Sequence, residues 1–233
     1  MNRILTILSI VVLALVVALP AAAAETKDSR VDQIVNAAAD KYMSLEQAAS
    51  AAGVATYTKE QVKQARTKPA EEKSPTITAS MNEAYKKTLD ESDMVPVSIS
   101  APLAARYMDL TKDDPGLQAA RITNAALQVS LELGFDTQQT ARVICGTMQG
   151  IRESVAANDF DWEETKKVLD ELLKTWAADS ALTVLDRVAR DCLTNEAAEA
   201  ETYVAPLAAP QPLPDPSGPN FDRPTSFSGG ATI

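Results

Sequence analysis

The chain has 233 residues, with 22 lysines and arginines against 32 aspartates and glutamates, a formal net charge of −10 and no histidine at all. The missing histidine excludes Ser-His-Asp and Cys-His nucleophilic catalysis and most zinc sites. The acidic balance argues against nucleic acid or anionic lipid as a partner.

Residues 1–24 read as a secretory signal peptide. Arg3 supplies the positive start, Ile4 to Leu19 is an apolar run broken only by Thr6 and Ser9, and Pro20 with Ala22-Ala23-Ala24 offers a cleavage site. A retained membrane anchor is the rival, because Ile4 to Ala24 is just long enough to span. No second run of that length follows, so the mature chain is expected to be soluble and exported, periplasmic or secreted. Losing Arg3 lowers the basic count from 22 to 21 and moves the net charge from −10 to −11. Export also means an oxidising compartment, where the two cysteines should be paired.

Residues 25–110 are expected to form short helices. Ser29 to Met43 places Val31, Ile34, Ala38 and Tyr42 on one face. Ser44 with Gln47 reads as a new capping box, and Gly53 as the stop of the helix it opens. Thr58 with Gln61 caps a third helix that ends before Pro69. Lys68 to Ser80 has the composition of a linker. Ser80 with Glu83 should open a helix to about Leu89. Met94 to Ser100 reads as a brief extended piece because of Pro96, and Ser100 should cap Ala101 to Leu110.

Residues 111–201 read as a four-helix bundle. Asp114-Pro115 is an N-cap and N1 pair, and Gly134 ends that helix. Ala119, Ile122, Ala126, Val129 and Leu133 form one stripe, and Leu117, Ala120, Leu127 and Leu131 another. Only Arg121, Asn124, Gln128 and Glu132 form a polar strip, so this helix should be largely buried. Asp136 with Gln139 caps the next, running antiparallel, with Ala141, Ile144, Met148, Ile151 and Val155 inward. Its other side carries a ridge of small residues, Gly146, Gly150, Ser154 and Ala157, suited to close packing by another helix of the chain or by a partner. Asp161 with Glu164 starts the third helix, with Trp162, Leu169, Leu172, Leu173 and Trp176 inward. Asp179-Ser180 starts the last, with Leu182, Leu185, Val188, Ala189 and Cys192 aligned. A Cys145–Cys192 disulfide would staple the second of these helices to the fourth.

Seven of the 13 prolines lie between Pro206 and Pro224, so residues 202–233 are expected to be a disordered proline-rich tail. The fold class is therefore all-α: a disulfide-stapled antiparallel helical bundle, a smaller N-terminal helical region and this tail.

Three short stretches resemble known sites. Ile151-Arg152-Glu153-Ser154 is similar to the Glu-Ser pair of lytic transglycosylases, which implies Glu153 as a general acid on a cell-wall glycan. The resemblance covers four residues, and the GLMQ-type segment that should follow is absent. Residues 158–163 (NDFDWE) resemble a calcium loop but lack its glycine, and a helix cap accounts for their acids. Leu45 to Val62 is similar to a helix-turn-helix, with Lys59 where an apolar residue belongs. The expectation is an exported bacterial helical interaction or scaffold protein without catalytic activity, cofactor, metal or small-molecule ligand. It would bind a protein partner, or itself, through the ridge or the tail. The alternative is a glycan-cleaving enzyme working with carboxylates alone.

Overall fold

The computed structural model describes residues 27–53, 58–111 and 114–194. The expected signal peptide and tail lie outside these residues, as do 195–201 at the expected end of the bundle. The described residues form eight α-helices and no strand: α1 (Lys27–Ala51), α2 (Lys59–Thr67), α3 (Pro75–Asp90), α4 (Val97–Asp109), α5 (Pro115–Glu132), α6 (Thr137–Ala157), α7 (Trp162–Ala178) and α8 (Thr183–Thr194). A 3₁₀ turn, Pro69–Glu71, sits between α2 and α3. None of these helices is long and apolar enough to cross a membrane.

Local signals fixed several of the ends. The Thr58/Gln61 and Asp136/Gln139 capping boxes are both made, each side chain bonding the other residue's backbone amide. Asp114 accepts from the Leu117 amide at 2.9 Å, with Pro115 in the first turn behind it. Gly134 adopts φ +72°, and the Phe135 amide reaches back to the Ser130 carbonyl at 3.0 Å. This left-handed closure turns the chain so that α6 returns along α5.

Four expected boundaries differ. Ser44 does not open a helix, because α1 runs unbroken through it. Residues 68–80 are not a linker: the 3₁₀ turn and the first turn of α3 occupy them, and Ile77 is 0% exposed. Ser80 is therefore mid-helix and buried, and it caps nothing. Residues 94–100 are not extended. Pro96 already has helical angles (φ −53°, ψ −35°) at the start of α4, where a missing N–H costs nothing. Ser100 and Pro102 thus lie inside α4. The last helix starts at Thr183 rather than beside Asp179, which instead accepts from the Ala181 amide in the turn before it.

Paired contacts give the helix directions. Arg30 meets Asp93, Lys41 meets Glu83 and Glu46 meets Thr76, so α1 and α3 run in opposite directions. Asp170 and Arg190 face each other across the α7–α8 hairpin. By contrast α4 and α6 run the same way: Ala101 lies against Gly150, and Asp109 against Ser154 and Asn158. One continuous apolar core extends from Ile34 on α1 to Leu193 on α8, so the N-terminal helices pack on the bundle. Within it Leu117, Ala120 and Leu127 are buried, but Leu131 is 54% exposed, and the second stripe of α5 stops short.

Candidate functional site

The central feature is α6, which is covered on two sides. One side carries Ala141, Ile144, Met148, Ile151 and Val155, all buried in the common core. Cys145 at its flank is bonded to Cys192, with Cα atoms 5.4 Å apart, inside the usual disulfide range. This link ties α8 to α6, and α8 is otherwise held by Leu185, Val188, Ala189 and Leu193.

The other side is the small-residue ridge. Gly146, Gly150 and Ser154 are buried, and over Gly150 and Ser154 the cover is the chain's own α4. A Cβ on Gly150 would lie 2.8 Å from the carbonyl carbon of Ala101 and closer still to its oxygen. Ser154 donates to Asp109 Oδ1 at 2.7 Å, which locks the far end of the crossing. Ala157 is exposed and lies beyond the contact. At Gly150 and Ser154 the ridge is therefore packed within the chain. Sequence reasoning missed the matching signal on α4, where Ala101 and Ala105 put small side chains four residues apart.

Glu153 is exposed, and its carboxylate accepts from Gln149 one turn earlier at 2.9 Å. It stands on the outer surface of α6, facing solvent. Residues 158–163 serve as helix ends: Asn158 closes α6 and Asp161 caps α7 through the Glu164 amide. Among the described residues no group of three or more histidine, cysteine or acidic side chains could hold a metal. The helix-turn-helix resemblance falls on the end of the 25-residue α1 and on α2, with 54–57 outside the described residues.

Among the buried polar groups, Ser80 belongs to a tyrosine cluster. Tyr42 and Tyr107 meet edge to face at 5.4 Å between ring centres, and Tyr107 Oη lies 2.8 Å from Ser80 Oγ. The Ser80 hydroxyl has backbone acceptors at Thr76 and Ile77, so its proton goes there and Tyr107 donates to it. Burial pushes the phenols of Tyr42, Tyr85 and Tyr107 upward from the ordinary tyrosine range.

Among the described residues a cleft with mainly apolar walls, roughly 130 Å³, opens where the start of α4 meets the start of α6. Val95, Pro96, Phe135 and Val143 give it apolar walls, and Gln139 and Arg142 add polar donors. Val95 is 51% exposed, and Phe135 packs edge to face on Tyr85 behind it. These residues were not legible as a group, because they come from three separate stretches joined only by the α4–α6 crossing. No protein-family model, curated protein or solved structure matches the chain.

Proposed function

We propose that this chain is an exported helical protein, periplasmic or secreted, that acts by binding another protein rather than by catalysis. The observation that carries the reading is the Cys145–Cys192 disulfide, which joins two helices through largely buried sulfurs. Such a structural bond persists in oxidising compartments and is rare in reducing ones. Since α4 occupies the ridge at Gly150 and Ser154, a partner would meet the outer faces of the helices. The acidic charge favours a basic or neutral protein surface over nucleic acid.

The test is fractionation of native cells with thiol alkylation before any reduction, combined with crosslinking in place. The reading expects the protein in the exported fraction, both cysteines blocked, and a crosslinked adduct with a second protein. Recovery in the cytosol with two free thiols would overturn it. So would a glycan-cleaving activity that disappears in Glu153→Gln.

A further inference from the structure

We infer that the Val95–Phe135 cleft is the docking site for the chain's own proline-rich segment, residues 203–219. Three observations lead there. The first is where the chain leaves the described body. Cys192 is two residues short of the end of α8 at Thr194, and its bond to Cys145 fixes that end against α6. Arg142 and Val143, which line the cleft, lie less than one helical turn from Cys145. The segment is thus rooted on the same helix that builds one wall of the cleft.

The second is reach. Pro206 follows Thr194 by twelve residues, and an extended chain covers about 3.3 Å per residue. That is roughly 40 Å of tether to cover a distance set by a few turns of α6.

The third is chemistry. YVAPLAAPQPLPDPSGP, residues 203–219, intersperses prolines with Val204, Leu207 and Leu213 and carries one charge, Asp215. Proline-rich segments bind grooves with apolar and aromatic walls and a few side-chain donors, because their fixed φ lowers the ordering cost. The cleft offers Phe135, Val95 and Pro96 as walls with Gln139 and Arg142 beside them, and its small volume fits one apolar side chain at a time. Tethering supplies the effective concentration that so small a contact needs, on the order of millimolar for a short linker. The inference holds whether or not the chain is exported, so failure of one reading does not decide the other.

The test uses the full chain with a photoreactive benzophenone side chain introduced at Val95, an exposed position. Irradiation at several protein concentrations, followed by peptide mapping, should give an intramolecular crosslink to residues 203–219 whose yield does not change with concentration. Leu207→Asp with Leu213→Asp should abolish it while leaving the helical content unchanged. A synthetic peptide of residues 203–219 added in excess should compete it away. A crosslink that grows with concentration (a second copy), one to a different part of the chain, one that survives the double substitution, or none at all would overturn the inference.

Discussion

Gly150 on α6 lies directly against the backbone carbonyl of Ala101 on α4, with no room for a side chain between them. In an exposed helix interior, alanine would be favoured over glycine by about 1 kcal/mol. Here the sign should reverse, because the Cβ meets backbone, which cannot rotate away. Gly150→Ala should cost about 1–3 kcal/mol or more through overpacking, read as a lowered urea midpoint. An unchanged midpoint would mean that the two helices do not cross where described.

Removing the covalent link gives the second prediction. Its two cysteines are 47 residues apart in sequence. Closing a loop of that length is worth about 4 kcal/mol in the chain-entropy model. The Cys145→Ser, Cys192→Ser double variant should therefore unfold at a clearly lower denaturant concentration than the oxidised parent. A reducing agent should bring the parent close to the variant and leave the variant itself unmoved.

The left-handed positions predict two shifts of opposite sign. Asp159 has φ +57° just past the end of α6, where glycine is the usual occupant, and the Phe160 amide reaches back to Val155 across it. Asp159→Gly should stabilise the protein by up to about 1 kcal/mol, because a side chain at such angles carries roughly that strain. Gly134, at φ +72° with open space around its Cα, should show the reverse. Gly134→Ala should cost a similar amount despite the absence of any clash. Thermal melts of the two variants, moving in opposite directions from the parent, would bear this out.

Alkali should unfold the protein through its tyrosines. Tyr85 and Tyr107 are fully buried, and desolvation raises both phenols above the unfolded value of 10.0. With the folded pKa raised, their stabilising contribution is complete below pH 10 and declines as pH climbs above it. The unfolded chain then releases protons that the folded one keeps. Each such tyrosine should lower stability by up to about 1.4 kcal/mol per pH unit in that range. Urea midpoints measured on both sides of about pH 10 should fall steeply on the alkaline side, with tyrosinate absorbance from these two residues rising only as the chain unfolds. Ser80→Ala, which removes the acceptor of the Tyr107 proton, should lower stability throughout by about 1–3 kcal/mol.

How much of this could be read from the sequence follows from the range of each interaction. Asp136 with Gln139, Thr58 with Gln61, and Asp114 with Pro115 act within a single turn, and the structure repeats them. The disulfide was legible from chemistry and from the apolar stripes that both cysteines join. Ser44 and Ser80 carry the same local signal as true caps, yet both lie within helices; Ser80 is buried there, where its hydroxyl serves Tyr107. Pro96 looked incompatible with helix, but at the N-cap of α4 its missing N–H breaks nothing. The partner of Gly150 was beyond reach, because α4 and α6 are joined by the whole of α5 and meet side by side in the same direction. For the same reason the Val95–Phe135 cleft had no signature along the chain.

Cys192 stands in the final turn of α8, the last of the described helices. A polypeptide emerging amino end first must present every one of those helices before its two thiols can meet. By then the crossing of α4 with α6 and the tyrosine cluster have all their parts in place. The sulfur bond can thus close only after the last described helix has emerged, and two cysteines leave it a single pairing within the chain.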